Sequence, residues 1–275
     1  MLKRILGFSL GLWAGALSAQ PNLPQWELGV GVIGYDYPDY LGSKHQRQLA
    51  LPFPLVVYRS EKFEIRRGEA KALLFDYGPW ELDLSFSGSV PVNSKKNTKR
   101  QGMPDLDAAV EIGPVVKYRF WQRDLNELKF EWPLRAVLAS DFKRVHHEGW
   151  VSEPGVYYYR RQAFSNTHRT KLTLGLGARW GSRDYHGYIY DVDSAYATPQ
   201  RAAYRAEAGY GGAFFRLGYD WYYDRLQLGA FYRYYHLDGA AFRASPLVET
   251  AQAHSLGVML SWRFWQSAQT IKALD

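Results

Sequence analysis

Few residues in this chain are suited to chemistry. Its seven histidines are His45, His146, His147, His168, His186, His236 and His254. Only His146-His147-Glu148 forms a compact cluster, with Ser140 and Asp141 a few residues before it. A metal site and a hydrolase-like Ser/His/Asp arrangement are therefore the two chemistries to weigh. Adjacent strand residues point to opposite faces, so the histidine pair cannot share an ion from a strand, although a loop could manage it. Nothing in the spacing of Ser140 and Asp141 recommends a nucleophile and its base. The chain has no cysteine, which excludes disulfides, thiolate metal sites and a cysteine nucleophile. The reading is a non-enzyme without cofactor or nucleic-acid partner.

A second group of residues could bind anions. Lys95, Lys96, Lys99 and Arg100, then Lys143 and Arg144, fall on segments expected to be external loops, in a chain of net charge +7. Cations at that height would pair with the phosphates of lipopolysaccharide. The plainer alternative is a solvated charged loop with no dedicated partner.

The elements that must position these groups begin after an address. Lys3 and Arg4 precede an apolar stretch from Ile5 to Leu17, and Leu17-Ser18-Ala19 offers small residues for cleavage. Residues 1–19 read as a secretory signal peptide. No later window is long and apolar enough for a membrane helix.

Period two dominates the rest. Trp80, Leu82, Leu84 and Phe86 alternate with Glu81, Asp83, Ser85 and Ser87, and Leu226, Leu228, Ala230, Tyr232 and Tyr234 oppose Gln227, Gly229 and Arg233. A helix would smear these apolar residues around its circumference, so the segments are strands. A soluble antiparallel sandwich also alternates. The runs, however, are about ten residues long, the length of a tilted membrane-crossing strand. Aromatics such as Trp26, Trp80, Trp121, Trp180 and Trp262 gather at run ends, where interfacial girdles would sit. The expected fold is all-β: a transmembrane antiparallel up-and-down β-barrel over residues 20–264, with a periplasmic tail over 265–275.

Ten strands are expected near 25–34, 48–58, 80–90, 108–120, 127–139, 151–162, 169–181, 208–222, 225–236 and 254–264. Splitting the segment 62–76 at Arg66–Glu69 adds two and gives the favoured count of twelve; ten follows if that segment is mostly loop. Short turns are expected near Arg123–Asn126, Ser165–His168 and Tyr223–Asp224. Long loops are expected at Asp36–Arg47, Pro91–Asp107, Asp141–Trp150, Asp184–Ala206 and Asp238–His254. The polar face (Glu81, Asp83, Glu111, Lys117, Arg119, Lys129, Glu131, Arg135, Lys171, Arg179, Arg216, Asp220 and Arg233) would line the lumen with both signs of charge. Cross-strand ion pairs would fill much of so narrow a barrel, which argues against a general diffusion pore.

The last strand, Ser255-x-Gly257-x-x-Leu260-x-Trp262-x-Phe264, resembles the C-terminal signature read by the barrel assembly machinery. An ordinary lipid-facing strand needs the same alternation, and in that signature the aromatic is usually the final residue, whereas here Trp265 to Asp275 follow.

Three motif strings point to a family. The first is Pro38-x-Tyr40-x-Gly42-Ser43, followed by Pro52-Phe53-Pro54 and Tyr58-Arg59. The second runs Tyr188-x-Tyr190-Asp191-Val192, Tyr196-Ala197-Thr198-Pro199-x-Arg201, Tyr204-x-Ala206 and Gly209-Tyr210-Gly211-Gly212. The third is Leu237-Asp238-Gly239-Ala240-Ala241-Phe242 with Ser245-Pro246-Leu247-Val248. Together and in this order they resemble the MltA-interacting protein (MipA/OmpV) family of outer-membrane proteins. The resemblance implies an outer-membrane barrel; the contact with lipid follows from its greasy face, and that with lipopolysaccharide from the basic loops. The family's name implies binding to a periplasmic murein hydrolase and scaffolding of cell-wall synthesis. Other members are regarded as porin-like or as surface antigens and adhesins, so a narrow small-solute channel stays open as the alternative. No catalytic residues are carried over. The motifs themselves look structural, with glycines for positive φ and prolines to stiffen loops. The periplasmic surface available to a partner would be thin, and the tail 265–275 is the best candidate for it.

Overall fold

The computed structural model describes residues 22–60, 63–66, 69–165 and 167–272. The signal peptide expected over 1–19 lies outside them, as do 67–68 in the expected Arg66–Glu69 split, 166 in the expected turn, and 273–275 of the tail.

The strands are β1 (Asn22–Pro24), β2 (Trp26–Pro38), β3 (Gln46–Arg59), β4 (Phe63–Arg66), β5 (Glu69–Tyr77), β6 (Trp80–Ser89), β7 (Ala108–Arg123), β8 (Asn126–Ser140), β9 (Val145–Ser152), β10 (Gly155–Ala163), β11 (His168–Gly181), β12 (Gly209–Tyr223), β13 (Leu226–His236), β14 (Gln252–Gln266) and β15 (Thr270–Lys272). One helix, α1 (Arg183–Tyr190), sits between β11 and β12. Strands β2 to β14 form one antiparallel sheet of thirteen segments that closes on itself. Both β9 and β10 lie between β8 and β11, so they are two halves of one interrupted stave. The described barrel therefore has twelve staves, the count that splitting 62–76 required.

That interruption corrects the reading of Asp141–Trp150 as a long loop. Only residues 141–144 turn, and Val145–Ser152 pairs with the upper half of β8. Glu153 and Pro154 break the stave because proline has no N–H for the ladder. The Pro154 carbonyl still accepts the Ala178 N–H at 3.1 Å, which carries the wall across the break. Short turns on the opposite end use Asp124 and Asp224 at positive φ, a conformation aspartate tolerates.

The outward face is greasy. Val30 and Val32 on β2 and Leu256, Val258, Leu260 and Trp262 on β14 are each 47–51% exposed. In a soluble sandwich a second sheet would cover such a belt; here lipid does. Trp26, Trp80 and Trp121 mark one rim and Trp150 and Trp180 the other. By the rule of short periplasmic turns and long external loops, the first rim is periplasmic.

On the last strand, Leu260 and Trp262 face outward, whereas Ser255 and Gly257 face the lumen. A Cβ on Gly257 would come within 2.2 Å of the Phe231 ring, which lies flat over it from β13. Gly31 is covered by Phe53 in the same way. These glycines exist because an aromatic on the neighbouring stave occupies their side-chain space. Phe264 sits in a bulge between Arg263 and Trp265, and β14 continues to Gln266 against Glu27. Beyond it, Thr270, Ile271 and Lys272 pair with Pro24, Leu23 and Asn22. The two ends of the described chain thus meet in a small ribbon on the periplasmic side.

The close contact at Gly257 makes a measurable demand. Gly257→Val is expected to cost about 1–3 kcal/mol by overpacking, read as a lower urea midpoint for the folded form on unheated gels. Adding Phe231→Ala should recover much of that loss.

Candidate functional site

The lumen is the only enclosed space a barrel offers, and here three layers of charge occupy it. Nearest the periplasm, Glu27 accepts from Arg59 and Arg263, each at 2.7 Å. Above it, Glu81 pairs with Lys129 at 3.1 Å and with Arg119, and Glu127 with Lys129 and Arg161 at 3.2 and 3.0 Å. Lys117 reaches Asp83 at 2.5 Å. Glu153, the residue at the break in the wall, is the hub of the third layer. Its carboxylate takes Arg179 and Arg216 at 2.7 Å and Arg135 at 3.2 Å, and the Tyr235 hydroxyl donates to it at 3.0 Å. Glu111 accepts from Arg179 at 3.0 Å and from Arg135 at 3.4 Å. Charges this buried must be paired, and the expected ladders are present. Glu153 itself escaped the sequence reading because it falls between two half-strands; the following proline was the available signal.

The external end is closed by packed loops. The family-like motifs make this plug. Tyr190 at the end of α1 stacks on Phe242, ring centroids 3.8 Å apart, and its hydroxyl donates to Leu41 O at 2.9 Å. Tyr40 donates to Leu247 O at 3.0 Å, and Ser245 to Tyr190 O at 2.8 Å. Leu237, Leu247, Val192 and Ala206 are almost completely buried around them. Gly42 has φ +92°, and its carbonyl takes the N–H groups of Glu249 and Thr250. Ser43 accepts from Asn97, and Pro38 is buried where β2 ends. Asp191 accepts the Ala206 N–H and pairs with Arg183, each at 2.7 Å. Thr198 bridges to Arg201 around the exposed Pro199, and Arg201 ties this turn to Lys99 O and Gln101 O. Gly212 has φ +116°, Gly211 lies against His186, and Gly239 and Asp238 form an exposed turn in which Asp238 pairs with His236.

The basic residues divide. Lys95, Lys96, Lys143 and Arg144 are exposed on the external side and Lys99 is half-buried. Arg100 does not belong with them: it is 3% exposed, and its guanidinium donates to Ile189 O at 2.8 Å, Pro104 O at 3.1 Å and Ser94 Oγ at 3.2 Å. A guanidinium with several fixed donors is well suited to binding converging carbonyls, so this arginine staples two loops instead of meeting a lipid phosphate. His146 and His147 lie consecutively on β9, which sends them to opposite faces.

Between plug and ionic hub lies a cavity of about 180 Å³. Tyr35 and Tyr37 of β2, Tyr185 and Tyr188 of α1, Arg233 of β13 and Ser255 of β14 contribute to its wall. Burial pushes the phenols of Tyr40, Tyr185 and Tyr188 up to about 12, so all three stay protonated. Burial lowers His186, whose Nδ1 faces Glu207 O at 2.7 Å while Nε2 has no partner. The neutral ring, with its proton on Nδ1, is the form that fits.

Comparison with known proteins adds a family. The model of the family described as "MltA-interacting protein MipA" matches residues 28–264. No curated protein matches the chain. Among solved structures, the CymD monoaromatic hydrocarbon channel is 9% identical over 87% of this chain and 89% of that one, with a TM-score of 0.30. The toluene transporter TodX of Pseudomonas putida is 8% identical over 90% of each chain, TM-score 0.26. The outer membrane channel DcaP of Acinetobacter baumannii is 9% identical over 87% of this chain and 96% of that one, TM-score 0.27.

Two outcomes follow from the geometry. Glu153→Gln leaves Arg216 without a carboxylate and Arg135 and Arg179 with Glu111 alone, and is expected to cost about 3–5 kcal/mol, measured by denaturant titration in micelles. His186, lowered in the docked plug, binds fewer protons there than when released, so docking is fully stabilised above the ordinary value of 6.5 and weakens as pH falls below it. Protease nicking of the 182–208 loop should rise over that window, and His186→Asn should flatten the pH dependence.

Proposed function

We propose, from the premise that this chain belongs to the MltA-interacting protein MipA family, that it is a non-enzymatic binding protein of the outer membrane whose periplasmic face docks a cell-wall enzyme. It is an outer-membrane β-barrel protein. The family's name, MltA-interacting protein, supports a murein hydrolase as the class of partner.

One observation carries this reading. The lumen is crossed by ion pairs at three levels and loops pack over its external end, which favours a binder over a pore, while β1 and β15 form a separate two-stranded ribbon at the periplasmic rim. A short ribbon beside tight turns is a small surface compared with the roughly 800 Å² per partner of a standard interface. A two-stranded ribbon can, however, be extended by a strand of a partner. The tail from Trp265 onward is thereby a docking element held at its root by β14 and near its end by β1.

The remaining surfaces fit the same envelope. Lys95, Lys96, Lys99, Lys143 and Arg144 stand where lipopolysaccharide phosphates would meet them. Leu260, Trp262 and the half-buried Phe264 supply the greasy edge that the barrel assembly machinery would read, with Ser255 and Gly257 on the opposite face.

The test is a truncation lacking residues 270–275. The shortened protein is expected to keep its folded gel mobility but to lose most capture of purified MltA. Undiminished capture would remove the tail from the interface. The full protein in planar bilayers is expected to be silent; reproducible unitary conductance steps would overturn the closed lumen and favour the narrow-channel alternative.

A further inference from the structure

The barrel wall changes with height between β3 and β6. In the periplasmic half, β4 and β5 stand between them. Pairing of β3 with β4 ends at Val57, and pairing of β5 with β6 ends at Asp83. Above those levels the seam edges of β3 (46–56) and β6 (84–89) have no strand partner among the described residues, although β5 runs on to Glu69 against β4, so the two edges face each other only beyond that hairpin.

The side chains suit such an edge. The Arg59 N–H donates to Gln25 O, next to β2, so odd-numbered residues of β3 bond toward β2 and even-numbered ones face the seam. Pro52 and Pro54 therefore fall on the seam side, where they have no N–H to leave unpaired and where they prevent a further strand from adding. At the top, Arg47 Nη1 donates to the Pro91 carbonyl at 2.8 Å and clasps the two staves together. The seam is a window, bounded below by the β4–β5 hairpin and above by this clasp.

The cavity beneath the plug reaches the window. On β7, β8, β13 and β14 it touches only lumen-facing residues, but on β6 it touches outward Gly88 as well as inward Ser87 and Ser89, and just past the strand end it touches Val90. It therefore wraps the free edge of β6. Across from it, the lumen face of β3 is apolar (Leu49, Leu51, Phe53, Leu55), and Leu51 is 47% exposed although it points inward.

Inside, one cation stands unpaired. Arg233 lies over the Phe231 ring at 5.5 Å, with no carboxylate at ion-pair distance among the described residues. Its ladder partners are Arg216 and Ser255. On the hub side Arg135, Arg179 and Arg216 are taken up by Glu111 and Glu153, and on the loop side Asp39 pairs with Arg47 and His45 while Asp107 also lines the cavity, so Arg233 is the lining guanidinium without a carboxylate of its own. The volume suits a one-ring molecule, since an apolar cavity of ~150 Å³ takes up benzene.

We propose that this cavity binds a small amphipathic organic anion, an apolar ring or short chain ending in a carboxylate, which arrives from the outer leaflet through the window between β3 and β6 and pairs with Arg233. The apolar face of β3 guides the hydrocarbon part, and the tyrosines hold the ring.

The absence of native cysteine makes the test direct. Ala50→Cys and Gly88→Cys each lie three residues below the Arg47–Pro91 clasp and would be joined by a reducible bis-thiosulfonate linker in the full protein in nanodiscs. Fluorine NMR of 4-fluorobenzoate reports affinity and exchange, with neutral fluorobenzene as the comparison probe. The expected result is saturable binding of 4-fluorobenzoate and weaker binding of fluorobenzene. Arg233→Gln should lose about tenfold or more in affinity, the usual worth of a charge-assisted hydrogen bond, and Arg233→Lys should retain most of it. Cross-linking should slow exchange several-fold, with reduction restoring it. No saturable binding, or equal affinity in Arg233→Gln, overturns the site; unchanged exchange after cross-linking overturns the lateral route. None of these readouts depends on the periplasmic partner.

Discussion

A strand in hydrocarbon cannot leave its backbone polar groups unpaired, and this chain is organised around that requirement. Each unsatisfied N–H or C=O costs several kcal/mol where no water can reach it. Closure of the sheet from β2 round to β14 removes most edges at once. Where the wall is interrupted, the same rule governs the repair. The break at Glu153–Pro154 is spanned by one carbonyl accepting from β11, and both halves of the stave keep the same two neighbours. At the seam the edge of β3 carries prolines, which have fewer groups to satisfy.

Closing the wall creates an interior in which charges are costly, and the contents of the lumen answer that second demand. Alternation turns every other residue inward, and many of those are charged. In a wide pore they would be hydrated. In a narrow barrel they must neutralise one another, which they do in layers around Glu27, Glu81, Glu127 and Glu153. Glu153 gains most from its place at the break, because the kink lets its carboxylate meet arginines from three staves. The loop plug above is a small hydrophobic core in its own right, built from tyrosines whose rings pack and whose hydroxyls bridge loops.

The alternation, the girdle aromatics and the short turns at Asp124 and Asp224 were legible before any coordinates, since each depends on neighbours a few residues away. The segment after Asp141 was not. His146, His147 and Gly149 blur the apolar pattern there, and only pairing with β8 makes Val145–Ser152 a strand. Arg100 looked like its lysine neighbours because charge is visible in a sequence and burial is not. Gly257 was visible as part of a terminal pattern, yet its reason, the Phe231 ring on the next stave, lies twenty-six positions earlier in the chain.

The sequence by itself determined that the chain would form a lipid-facing antiparallel barrel, because period-two alternation and strand length are local properties that a bilayer reads directly. It also determined that the interior would be charged and the outer loops rich in glycine, proline and tyrosine. The tertiary structure alone decided which charges cancel, which cation is left over, where the loops close the mouth and where two staves fail to meet. These are relations between residues far apart in the chain, set by the register and curvature of the closed sheet, and no local pattern encodes them.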